Sequence, residues 1–156
     1  MLANLNDVLP RARKERYAVG LFNTVNLEMA RAVLGAAEKL RSPVIIGTAD
    51  ILLPYGPLES LADLLIPMAR RATVPVVPHY DHALSLESCR QALEHGFTSV
   101  MYDCSTLPFE ENLQNVKALV AEAHARGATV EAELGHVCNA DGSDTPEAAC
   151  PADYYT

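Results

Sequence analysis

The chain alternates between short apolar runs and longer stretches with helical spacing. "YAVGLFN" (17–23), with Val, Phe and Tyr, predicts a strand. Over 26–40, Leu27, Ala30, Val33, Leu34 and Ala37 recur at helical spacing behind Asn26, a ready N-cap. "PVIIGTA" (43–49) predicts a buried strand. A helix over about 57–72 follows, with Pro57 in its first turn, and Pro67 inside the pattern predicts a kink or an early break. "VPVVPHY" (74–80) is the third strand. Residues 85–96 form a helix capped by Ser85 and closed by Gly96. "FTSVMYD" (97–103) is the fourth strand. The longest helix spans 108–127, opened by Pro108 and acids and closed by Gly127. "ATVEAEL" (128–134) is the fifth strand. No element is assigned before Tyr17.

Strand and helix thus alternate five times with short connections, the pattern of βαβ units and a parallel sheet. The strands are apolar on both sides, which predicts helices over the sheet. After Leu134 the texture changes to Gly, Asp, Ala and Pro without periodicity, and 135–156 is expected to be a mobile loop.

Length and charge narrow the picture. The 156 residues suit one domain, and 49% hydrophobic content is enough for a sizeable core. No apolar run approaches the roughly 18 residues of a membrane span. The start, "MLANLNDVLPRARKERY", lacks the apolar centre and cleavage site of a signal peptide, so a cytoplasmic protein is expected. Cys89, Cys104, Cys138 and Cys150 show no CxxC pairing and are expected to be free thiols, buried hydrophobes or bystanders. A net charge of −8 with scattered basic residues argues against nucleic acid as the main partner, but not against an anionic small molecule.

Ligands of parallel α/β folds bind at the C-terminal ends of the strands. There the sequence places Asn23, Thr48, the group His79, Asp81 and His82, then Asp103, and Glu131 with Glu133. Such a set suits a divalent metal: His82 offers an imidazole, and Asp103 and Glu133 offer oxygens. Asp81 beside them can act as general acid and base next to a polarised carbonyl. Alternation puts His79 and Asp81 on one face of a strand and His82 on the other, unless the strand has already ended. His79 reads more readily as a hydrogen-bonded core residue than as a ligand. Asp103 can equally cap the turn that follows it. Glu131 and Glu133, two apart, share a strand face, and helices should cover it. His95 and His124 lie near helix C-termini, where the helix dipole accounts for them.

The stretches "YAVGLFNTVNLE", "SPVIIGTA", "HYDHA", "GFTSVMYDCSTLPFEEN" and "VEAELGHV" occur in this order between about residues 17 and 137. In these motifs the sequence resembles the class II, metal-dependent ketose-bisphosphate aldolases. The resemblance implies a TIM barrel of parallel β/α units. It implies Asp81 as the catalytic acid/base at the C4 hydroxyl, and His82 as a ligand of a catalytic zinc ion. Asp103 and Glu133 match acids that lie near the metal and can hold it in an alternative, buried position, and Asn23 matches a substrate-side asparagine at the end of the first strand. The implied substrate is a phosphorylated ketose of fructose or tagatose type, cleaved to dihydroxyacetone phosphate and an aldehyde phosphate. A homo-oligomer is expected, and without a long apolar run no membrane partner is expected.

The sequence also departs from the family pattern. Ala83 and Cys104 stand where the family commonly has glycine, Ala49 where it often has serine, and Cys138 replaces a loop glycine. A barrel takes about 250 residues and eight strands, so five strands are expected to be its N-terminal part. Of the family's three zinc histidines only His82 has a counterpart, which predicts weak metal binding by these residues alone. The alternatives to the aldolase are an inactive half-barrel that binds a partner, and a related metal-dependent lyase acting on another phosphorylated sugar.

Overall fold

A computed structural model describes residues 1–135. Helix α1 (Leu5–Glu15) is followed by β1 (Leu21–Asn23), α2 (Leu27–Leu40), β2 (Val44–Ala49), a 3-10 helix (Asp50–Tyr55), α3 (Leu58–Arg71), β3 (Val76–Ala83), α4 (Leu86–Glu94), β4 (Ser99–Tyr102), α5 (Phe109–Ala125) and β5 (Thr129–Glu131). The five strands form one parallel sheet in chain order, β1-β2-β3-β4-β5. This is the α/β architecture of a TIM-type barrel.

Each α-helix after β1 starts and stops where the sequence predicts, to within a few residues, while the 3-10 helix Asp50–Tyr55 is not among the elements the sequence predicts. The Asn26 side chain accepts the Met29 N–H at 2.9 Å, and Ser85 Oγ accepts the Ser88 N–H at 3.0 Å. Gly96 and Gly127 take φ of 94° and 72°, left-handed values that stop the chain after α4 and α5. The early break expected at Pro67 does not occur: α3 runs through it. Leu65, Ile66 and Ala69 are buried on both sides of that proline, and their packing holds the helix through the lost backbone bond.

The edge strands are shorter than expected. Tyr17–Gly20 are not in β1, and Ala132–Leu134 are not in β5. Among the described residues each edge strand pairs with one neighbour only. Coverage on both faces holds for β2, all six of whose residues are buried, but not for β1, whose three residues are exposed.

The amino-terminal helix has no counterpart in the sequence reading. Asn4 and Asp7 form a reciprocal capping box: Asn4 Oδ1 accepts the Asp7 N–H at 3.2 Å, and Asp7 Oδ2 accepts the Asn4 N–H at 2.8 Å. Leu5, Val8 and Ala12 are buried, and Leu5 and Val8 pack with Ala3 on Ile45 of β2 and Val77 of β3. The preceding arm is bonded to the N-terminal side of the sheet: Thr98 Oγ1 donates to Ala3 O at 2.6 Å, and Leu5 N–H donates to Thr129 Oγ1 at 3.2 Å.

Two further clusters lie between sheet and helices. Ala30, Leu34 and Ala37 of α2 meet Ile46, Val76, Leu65 and Ala69. Tyr80, Ala83 and Val100 meet Ile66, Cys89, Phe97 and Leu119. Leu65 is fully buried. Leu65→Ala is expected to destabilise the fold by about 3 kcal/mol, since the cavity between α3 and the sheet cannot collapse. Urea unfolding monitored by circular dichroism measures it.

Candidate active and metal site

The register of the sheet sorts the polar residues by face. One row crosses all five strands: Asn23, Gly47, His79, Ser99 and Thr129. The opposite face carries Thr48, Tyr80 and Val100, of which Tyr80 and Val100 belong to the helix-side core. Between Tyr80 and Ala83 the ladder to β4 slips: Tyr80 pairs with Val100, yet Ala83 pairs with Tyr102. One extra residue is accommodated in β3, which defines a β-bulge. Ala83 takes the helix-side position and is fully buried, so His82 is released from the alternation. His82 adopts φ of 42°, a left-handed conformation that costs a non-glycine residue on the order of 1 kcal/mol. Its ring comes round to the face of Asp81, with Nε2 4.0 Å from Asp81 Oδ1. The simple alternation expected for "HYDH" is thereby corrected: the strand continues, but it bulges.

His82 Nδ1 lies 2.7 Å from Asp103 Oδ2, and donor atoms of His82, Asp103 and Glu133 all lie within 4.8 Å of one another. Three sequence-predicted residues from the ends of three strands thus come together. Asp103 also accepts from Ser105 N–H at 3.2 Å and Ser105 Oγ–H at 2.7 Å, so the turn-capping reading holds alongside the clustering. Burial raises the Asp103 carboxyl, but the bonds from Ser105 and His82 outweigh it and leave the group below its usual range. For His82 burial acts downward, while the bond to Asp103 and the charges of Asp81, Asp103 and Glu133 raise it on balance.

His79 is fully buried, with Nδ1 2.8 Å from Ser99 Oγ. Its Nε2 is 3.5 Å from both Asp81 Oδ1 and Glu131 Oε2 and has no hydrogen bond of normal length. If the Ser99 hydroxyl donates to Nδ1, the remaining N–H points between the two carboxylates. Burial acts to raise the Asp81 carboxyl, but the neighbouring His79 and His82 imidazoles outweigh it, so it lies below its usual range. His79 is therefore the hydrogen-bonded core residue expected from sequence.

Two expectations fail here. Glu131 and Glu133 do not share a strand face, because β5 ends at Glu131. Glu131 reaches His79, whereas Glu133, past the strand end, joins His82 and Asp103. The Glu131 side chain is also exposed rather than covered, as an edge strand allows. Asn23 stands at the end of β1, exposed, with its Oδ1 over Gly47, and is not part of the three-donor cluster. A side chain on Gly47 would meet that oxygen at 2.9 Å. Cys89 and Cys104 are free and buried as expected, and burial pushes the Cys89 thiol up to about 12. His136, Cys138 and Cys150 lie outside the described residues, as does nearly all of the expected loop at 135–156.

The chain matches the family model "Fructose-bisphosphate aldolase class-II" over residues 3–156. It belongs to the class II fructose-bisphosphate aldolase family. It is 46% identical over 137 residues to a fructose-bisphosphate aldolase of Thermus caldophilus, covering 88% of this chain and 45% of that protein. It is 42% identical over 141 residues to a 6-phospho-5-dehydro-2-deoxy-D-gluconate aldolase of Halalkalibacterium halodurans, covering 87% and 48%. Among solved structures it resembles the YdjI aldolase of Escherichia coli K12, with a TM-score of 0.84, 40% identity and coverage of 87% and 52%. The chain spans about half the length of the curated relatives it matches.

Two residues of this aldolase-family chain escaped the sequence reading. Asn112, buried on α5, accepts from Cys104 Sγ at 3.2 Å and donates to the Glu133 carbonyl at 2.9 Å. It ties the loop after Asp103 to the segment that carries Glu133. Its signal was weak, since an Asn in "PFEENLQ" reads as a solvated first turn. Asp50, which opens the 3-10 helix, accepts from the Tyr80 hydroxyl and, at 2.6 Å, from Leu84 N–H. Asn112→Ala is expected to cost about 1–3 kcal/mol, because the Glu133 carbonyl and the Cys104 thiol lose their buried partner. Urea unfolding of the pair of proteins measures that difference.

Proposed function

We propose that this chain contributes the acid–base carboxylate and a metal-binding set to a metal-dependent aldolase that cleaves a ketose 1,6-bisphosphate. The products are dihydroxyacetone phosphate and an aldehyde phosphate. The observation that carries the reading is the Asp81 carboxylate beside the His82, Asp103 and Glu133 donors at one end of a parallel sheet. The whole chain is read as one domain, the N-terminal portion of a (β/α)8 barrel, with 135–156 as its active-site loop. A cytoplasmic homo-oligomer in carbohydrate metabolism fits this reading, with neither nucleic acid nor membrane as partner.

The donor set fits a divalent ion such as Zn2+, since one imidazole nitrogen and two carboxylates are within reach of a common centre. His82 would bind through a ring nitrogen and Glu133 through a carboxylate oxygen. Asp103 can bind directly, or it can hold Nδ1–H and orient the ring, as carboxylates behind metal-bound histidines do. The ion would supply polarisation of the ketose carbonyl. Asp81, held in its ionised form, takes the proton of the C4 hydroxyl as the C3–C4 bond breaks, and the bonding electrons pass toward the C2 carbonyl. In the condensation direction Asp81 returns that proton. His79 keeps the Asp81 carboxylate oriented from the buried side. Asn23, in the same row across the sheet as His79, contributes a polar contact to the substrate.

A second substrate class is favoured by the relative named as a phosphorylated deoxy-gluconate aldolase. A panel of fructose 1,6-bisphosphate, tagatose 1,6-bisphosphate and 6-phospho-5-dehydro-2-deoxy-D-gluconate separates the two. In the whole protein Asp81→Ala is expected to abolish cleavage while metal content stays unchanged. Retained turnover refutes Asp81 as the acid/base. Titration of the whole protein with zinc chloride under calorimetry is expected to show one site that is lost on His82→Ala. A site that survives this change would place the metal elsewhere.

A further inference from the structure

We propose that Asp50 is a positioning residue, which holds the bulge of β3 that turns His82 toward Asp81 and Asp103. Three observations converge on it. The β3–β4 register slips by one residue between Tyr80 and Ala83. His82, inside that interval, is left-handed at φ 42°. The two oxygens of Asp50 take one donor on each side of the interval, the Tyr80 hydroxyl before it and the Leu84 N–H after it.

The argument is geometric. A bulge leaves its extra residue without ladder bonds, and a left-handed non-glycine residue persists only where its surroundings fix it. The two flanks of this bulge differ in character. Tyr80 is fully buried and packs edge-on against Phe97 at a centroid distance of 5.9 Å, so its hydroxyl is a fixed point. Leu84 is 70% exposed and has no comparable packing to hold it. The Asp50 carboxylate links the exposed flank to the buried one through charge-assisted hydrogen bonds. Asp50 itself follows directly on β2, whose last residue, Ala49, pairs with Asp81. Released from Asp50, the turn can revert to regular pairing, in which His82 faces the helices and Ala83 leaves the core.

The inference rests on the reading of His82 as a metal-site residue, and the test separates the two. Asp50→Ala removes both acceptors. It is expected to lower zinc affinity by about 10- to 100-fold. Exchange of the Leu84 amide hydrogen, read by NMR, should accelerate beyond what global unfolding explains. The double variant Asp50→Ala/Tyr80→Phe removes the hydroxyl that the single change leaves unpartnered. It should recover the urea midpoint but not the zinc affinity, which a purely structural role of Asp50 would restore with it. Asp50→Asn should retain affinity, because its carbonyl can accept from Leu84 N–H while its amide donates to the Tyr80 oxygen. If Asp50→Ala does not fold, the double variant carries the same comparison. Leu84 exchange that merely follows global unfolding, or undiminished zinc affinity in the double variant, overturns the proposal. If the parent protein binds no zinc, the metal reading fails, and Leu84 exchange alone still decides the role of Asp50.

Discussion

The ladder between β3 and β4 carries one residue too many on the β3 side, and the candidate site depends on how that excess is absorbed. A regular strand would send His79 and Asp81 to one face and His82 to the other. The bulge keeps Ala83 in the helix-side core, where it packs with Tyr80 and Val100, and frees His82 to join its neighbour. A methyl group fits this buried position. Core packing and site geometry are therefore set by the same slip in register.

The polar interior is organised outward from a buried histidine. One ring nitrogen shares a hydrogen bond with Ser99, and the other faces Asp81 and Glu131. A carboxylate brought out of water would ordinarily be raised, and here the neighbouring imidazoles reverse the sign. The Asp81 carboxyl therefore lies below its usual range even though it is partly buried. The neighbouring trio keeps its spacing through side chains that lie off the strands. Ser105 holds Asp103, and Asn112 joins the Cys104 loop to the Glu133 segment.

The two ends of the sheet are treated differently. The amino-terminal arm and α1 bury Ile45 and Val77 and bond to Thr98 and Thr129, which covers the N-terminal side. The C-terminal side keeps its charged residues together. The C-terminal ends of parallel strands are where such α/β folds place their sites.

The sequence by itself determined the five alternations, the parallel class and the motif positions of Asp81, His82 and Asp103. These are local properties: apolar periodicity, caps such as Asn26 and Ser85, and polar groups where a strand runs out. It also carried the capping box of Asn4 and Asp7, although Pro10 and the basic run around it obscured the helix that follows. Tertiary structure alone decided the rest. Glu131 and Glu133 part company because β5 ends where its pairing with β4 stops, and no spacing rule contains that. Pro67 stays within α3 because buried residues on both sides of it hold the helix. The turn of His82 toward Asp81 comes from the pairing of β3 with β4, about 20 residues on. The convergence of Asp50, Tyr80 and Leu84 joins segments some 30 residues apart. Periodicity reports which face a residue would take in a regular strand; only contact with the neighbouring strand shows where regularity gives way.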